Sequence, residues 1–337
     1  MENTDFFATW DYTWAYLNAH RPANWQVVTM REGDSRALVA VFALQVFQIA
    51  HQGQTFRACQ PLGVGYLPYI EFATDSAVRR EVLQLLLNAV LQKELGIDLA
   101  LFWPLHQASP LYLMLLEDLG RTEALKIMRI PSNLHEIETR GVDLAGYVHT
   151  CTRSVYRDAA YKERQLSKEG EVLFTLSEPP YDAATLVATL CCQNQDKFGQ
   201  QHAYLHLPKW STFLPQAAQS LTAAGLAQVS TLRLNGAVLA GGLCFLYKKR
   251  RYFYLFDYDP AFVRFSPAKI LLRNLIEQTF REGGGFCFGP GDAAYKCSWG
   301  PVVGELKAAL VFLNPNARSA LEAQLTLSGL NSLGGVQ

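Results

Sequence analysis

One order of elements is written twice along this chain, and that repetition constrains the fold more than any single motif. In the first copy, Trp25 to Arg31 and Arg36 to Ala50 read as the arms of a hairpin around Gly33-Asp34. Gln54 to Cys59 supplies a third strand, and a Gly/Pro loop runs from Pro61 to Pro68. Ser76 to Leu95 then has helical spacing. Val78, Val82, Leu86, Val90 and Leu91 share one face, and Arg79, Arg80, Gln84 and Lys93 the other. Gly96 ends it. Leu99 to Trp103 reads as a short buried strand, Pro110 to Leu119 as a helix and Ala124 to Ile130 as a strand.

The second copy follows about 190 to 200 residues later. Ala227 to Leu234 and Val238 to Tyr247 flank Asn235-Gly236, the strongest hairpin signal in the chain. Arg251 to Asp257 is its third strand. A Pro-containing loop leads to a helix from Ala268 to Glu282, stopped by Gly283-Gly284-Gly285. Short strands follow at Phe286 to Gly289 and Glu305 to Leu313. Between the copies, Leu144 to Lys168 reads as one long basic helix with Arg153, Arg157, Lys162, Arg164 and Lys168; a solvated linker face accounts for this pattern as well as a cationic wall does. Helices are also expected over Asp182 to Lys197 and Trp210 to Ala224. The expected domains are 1–140, a linker helix 141–170, a second domain 171–325 and a frayed tail 326–337.

Composition narrows the function. Of 337 residues, 50% are hydrophobic and 18% charged, enough apolar surface for two real cores. Lys+Arg and Asp+Glu both number 30, which argues against a wholesale basic surface for DNA and leaves room for a local basic groove. The cysteine count is seven, with no CxxC pair and no zinc spacing; reduced core thiols and no metal are expected. The N-terminus is acidic, then aromatic, unlike a signal peptide. The longest apolar run, Ala37 to Phe47, falls well short of the roughly 20 residues a bilayer span needs. No transmembrane segment and a cytoplasmic location are expected.

Two places carry chemistry. The loop from Asp257 to Lys269 enters a helix through Ser266-Pro267, a good N-cap followed by a good first helical residue. First-turn amides and the helix dipole favour an anion there, and Arg264 and Lys269 add charge. Ser-Pro is also an ordinary helix start. Beyond the next strand, Gly289-Pro290-Gly291 lets backbone approach a ligand, and Asp292, Tyr295 and Lys296 follow. The lysine suits an oxyanion, the tyrosine a leaving group, and Asp292 suits orienting the lysine or accepting a proton. A surface turn with an ordinary ion pair fits the same residues. Tyr66, Tyr69 and Glu71 suit an acceptor groove or loop packing; His202, His206 and Glu305 are weaker bases. No GxSxG, Walker or dinucleotide loop is present.

Together the stretches Leu232 to Ala240, Tyr252 to Pro260, Ser266 to Leu272 and Gly291 to Lys296 resemble the GNAT-like acyltransferases of the cellulose and exopolysaccharide biosynthesis type. These are related to the Fem peptidyltransferases, which carry two GNAT domains. The basic stretch around Arg153, Arg157 and Arg164 is similar to the family's linker. The resemblance implies an α/β (α+β) chain of two tandem GNAT-like domains, each a mixed, mostly antiparallel sheet flanked by helices. It implies an acyl donor at Arg264, Ser266, Ala268 and Lys269, with Ala268 where the family usually has Gly. Catalysis would fall to Lys296, Tyr295 and Asp292, and substrate contacts to Tyr66, Tyr69, Arg153, Arg157 and Asp257. Acyl-CoA is the implied co-substrate, with no covalently bound cofactor. The acceptor would be a small molecule or glycan. An acyl carrier protein, aminoacyl transfer from tRNA, or a catalytically inactive binding subunit of exopolysaccharide machinery are the alternatives.

Overall fold

The computed structural model describes residues 6–64, 69–149, 153–176, 182–198 and 208–326. The strands are β1 (Trp25–Arg31), β2 (Leu38–His51), β3 (Gln54–Pro61), β4 (Ala73–Thr74), β5 (Leu99–His106), β6 (Leu125–Glu138), β7 (Val172–Leu176), β8 (Ala227–Leu234), β9 (Ala237–Tyr247), β10 (Arg250–Tyr258), β11 (Gly285–Pro290) and β12 (Val302–Phe312). The helices are α1 (Trp10–His20), α2 (Arg79–Leu85), α3 (Pro110–Leu119), α4 (Leu144–Tyr147), α5 (Arg153–Leu166), α6 (Ala183–Phe198), α7 (Pro208–Ala223), α8 (Pro267–Glu282), α9 (Ala294–Trp299) and α10 (Pro315–Leu321).

The chain divides into two compact units. One comprises residues 1–132 and 304–337, the other residues 133–303. In the first, the strand order is β1-β2-β3-β5-β12-β6, with β4 on β2. The hairpin and third strand are antiparallel, whereas β3 and β5 run parallel through Ala58↔Leu99 and Cys59↔Ala100. β12 pairs with β5, although its place in the sequence sets it with the second copy. One face of this sheet buries Phe42, Cys59 and Phe102 under α2 and α3; the other buries Phe56, Leu101 and Leu310 against α10.

The second unit runs, from residues 133–138 of β6, through β11-β10-β9-β8-β7. Asn235 and Gly236, at φ 49° and 85°, close the β8–β9 hairpin with the two positive-φ residues its turn demands. α8 buries Ile270, Leu271, Leu275 and Ile276 against Leu232, Cys244, Phe253 and Phe286. α6 packs on α7, and Leu190 covers Gly241, where a Cβ would approach it to 3.0 Å.

Some element readings change. The helix expected over Ser76 to Leu95 opens with a 3-10 turn, becomes α2, and finishes as a wider π-helical segment, Leu86–Glu94. The single basic helix is described as α4 and α5, with residues 150–152 outside the description. Ser266 does not cap α8 through its side chain: it sits at φ 50°, ψ 56° after a 3-10 turn, Pro260–Phe265, that Asp259 caps instead.

Candidate active site

A parallel strand pair that stops bonding early leaves a wedge. β10 and β11 pair through Arg250↔Gly285, Arg251↔Phe286 and Tyr252↔Cys287 only. Beyond that point β10 shifts register against β9 between Phe253 and Leu255, and β11 shifts against β6 between Cys287 and Pro290. Both strands continue, so they part, and the walls are the end of β10 and Gly289-Pro290. Bulges re-aim strands in this way next to binding sites.

The stretch after β11, to which the sequence reading assigns no element, is a helix, α9. It carries Tyr295 and Lys296. The Tyr295 ring meets Phe256 of β10 edge-on at 5.2 Å between centroids. Lys296 is 9% exposed, and its Nζ donates to the carbonyls of Gly289, at 3.3 Å, and Pro290. Burial pushes its pKa down to about 8, only partly offset by Cys287, Asp292 and Cys297 nearby. Gly289 and Gly291 adopt φ of 69° and 113°, conformations that favour glycine.

Asp292 is tied to β6. It makes no hydrogen bond to Lys296; its Oδ1 accepts from Asn133 Nδ2 at 2.9 Å and lies 3.3 Å from His135 Nε2. These bonds hold its carboxyl below the usual range. His135 is fully buried, and its Nδ1 lies 3.0 Å from the carbonyl of Gly300. Sequence reasoning missed both β6 residues. Pro131 and the polar pair Ser132-Asn133 break the apolar pattern, so the strand reads as ending at Ile130, yet it continues to Glu138.

The donor loop is more compensated than its charges imply. Lys269 pairs with Asp158 of α5. Arg264, its side chain 71% exposed, lies 3.5 Å from Glu169 and over the Phe265 ring. The Ser266 carbonyl accepts from the amides of Lys269 and Ile270. Pro267 has no N–H, so Ala268 keeps a first-turn amide with no acceptor inside the helix. α5 flanks this loop, with Lys162 donating to the Arg264 carbonyl at 2.7 Å. On its other side Arg153, Arg157, Tyr161 and Arg164 are exposed at helical spacing, and Lys168 is exposed in the turn that follows. The three arginines make no hydrogen bond or ion pair among the described residues.

Asp257, near the end of β10, is buried and accepts from the amide of Tyr258. Tyr69 and Glu71 lie in the first unit, Tyr69 against Phe7. Glu305 bonds Lys307 and Arg129, and the Lys307 hydrogen bond lowers its pKa. Tyr66, His202 and His206 fall outside the described residues.

Residues 153–297 match the family model described as acetyltransferase (GNAT) domain. The match spans less than half of the 337 residues. Among solved structures, FemX is similar over 95% of each chain at 13% identity and a TM-score of 0.61. The C-terminal domain (DUF2156) of a putative lysylphosphatidylglycerol synthetase from Agrobacterium fabrum is similar over 92% of this chain and 90% of its own, at 15% identity and a TM-score of 0.54. L-PGS from Bacillus licheniformis follows, over 92% and 93%, at 12% identity and a TM-score of 0.50. Identities this low speak for the fold alone. No curated protein matches the sequence. No helix among the described residues is long and apolar enough to cross a membrane.

Proposed function

We propose that the GNAT-type segment transfers an acyl group from a thioester, acyl-CoA or an acyl carrier, to an amine or hydroxyl of a sugar, polysaccharide precursor or amino-acid derivative. One observation carries this reading: a buried lysine amine is held beside the mouth of a splayed parallel strand pair inside a GNAT-type domain. The acceptor attacks the thioester carbonyl carbon, a tetrahedral oxyanion forms, and its collapse breaks the C–S bond. An ammonium has three N–H groups. Lys296 commits two to backbone carbonyls and keeps one for the oxyanion. The Tyr295 hydroxyl gives its proton to the departing thiolate, and the proton shed by the acceptor restores it. The donor's pyrophosphate rests at the start of α8, on the Ala268 amide, with Arg264 and Lys269 released from their carboxylates to face it.

A thermal-shift titration with CoA, acetyl-CoA and longer acyl-CoAs tests the donor. A ligand that binds only the native state raises the melting point with concentration. The expected result is such a rise, lost in Arg264→Ala; no rise with any thioester removes acyl-CoA as donor.

A second reading is favoured by the exposed stripe on α5. Arg153, Arg157, Arg164 and Lys168 form a track suited to a phosphodiester backbone, and resemblance to Fem-type transferases implies charged tRNA as aminoacyl donor. The tandem-domain reading rests on a shared plan: in each unit an antiparallel hairpin and third strand lead to a parallel partner bonded over very few residues.

A further inference from the structure

The position of the Lys296 amine is set by a loop, and the loop is set by β6. Both carbonyls that hold the amine, those of Gly289 and Pro290, precede two glycine-permitted bends. Backbone bonds from β6 frame this region: Pro290 pairs with Leu134, the Gly291 amide donates to the Asn133 carbonyl, and the Glu136 amide to that of Pro301. Inside that frame stands the fully buried ring of His135. One ring nitrogen faces Asp292, the residue that leads into α9, and the other faces the carbonyl of Gly300, the residue that closes it. The Tyr147 hydroxyl of α4 adds a bond to the Trp299 carbonyl. Lys296 and Asp292 are the charged groups that α9 and its approach bring to this region.

We propose that His135 is a positioning residue for the acyl transfer, its buried ring bridging the entry of α9 at Asp292 to its exit at Gly300 and so fixing the amine of Lys296. This rests on the reading of Lys296 as the group that meets the oxyanion. The ring itself is buried and touches no substrate.

Two measurements test it. In His135→Phe, folded by circular dichroism, the Lys296 amine should react at least about fivefold faster with an amine-selective acylating reagent, read by peptide mass spectrometry; an unchanged rate overturns the positioning role. That readout needs no turnover, so it stands apart from the acyltransferase reading. With a working donor and acceptor, kcat should fall at least about tenfold in His135→Phe while KM holds, and an unchanged kcat counts against the role. Should His135→Phe not fold, His135→Leu, a smaller apolar replacement that also removes both ring contacts, takes its place with the same expected increase in Lys296 labelling.

Discussion

At the scale of single residues, Lys296 is the side chain whose environment says most about chemistry. Its pKa near 8 gives a signed expectation. If the ammonium polarises the thioester carbonyl, kcat falls as pH rises through about 8, and Lys296→Ala loses roughly a hundredfold or more, the usual cost of an oxyanion donor; a rate that climbs through that pH assigns Lys296 as a base instead. The stability effect has the opposite direction. The native state binds fewer protons than the unfolded state between about 8 and the ordinary 10.5, so this residue's contribution to stability rises with pH across that window. Urea denaturation of wild type and Lys296→Met at both ends should show the difference moving in favour of wild type. Tyr295 and Lys296 are legible in the sequence because a Gly-Pro-Gly turn and a polar pair are local signals. The partners of Asp292 are not, because they lie 159 and 157 positions earlier on a strand whose pattern is broken by proline.

At the scale of elements, strands flanked by strong turns are legible almost to the residue: β1, β8 and the Asn235-Gly236 hairpin depend on local alternation and on two residues that tolerate positive φ. α1 is not, because Trp10, Trp14, Tyr12 and Tyr16 put aromatic rings on its exposed and buried sides alike and leave no contrast between faces. α9 escapes because six residues are too few to show a period. The glycines after α8 read as a stop, but Gly284 meets a stricter steric demand. A Cβ there would lie 1.9 Å from the Lys249 carbonyl oxygen, and only backbone movement relieves that. Gly284→Ala should cost at least about 2 kcal/mol, seen as a lower denaturation midpoint, whereas an unaltered midpoint means the turn yields freely. The arginines on the outer side of α5 make the converse case. Changing Arg153, Arg157 and Arg164 to Gln should leave the melting point alone. If a polyanion binds there, the slope of log affinity against log salt should shrink by about 2 to 3.

At the scale of the whole molecule, the repeated order of elements is legible, but the membership of its last strand is not. Periodicity identifies Glu305 to Leu313 as a strand and is silent on its partner, which lies some 200 residues earlier in β5. A fragment of residues 1–132 therefore lacks the strand that stands between β5 and β6. Expressed alone it should be poorly folded by circular dichroism and hydrogen exchange, while residues 133–303 should hold a melting transition of their own; a well-folded 1–132 fragment refutes the requirement for β12. The order in which the ribosome delivers the chain then matters. Domains usually mature from the N-terminus onward during synthesis, yet here the unit that begins first must wait, its sheet open at β5, until the later unit has emerged entire. The exposed edge of that waiting sheet is a natural client for nascent-chain chaperones, and translation pauses placed before residue 304 would lengthen the exposure.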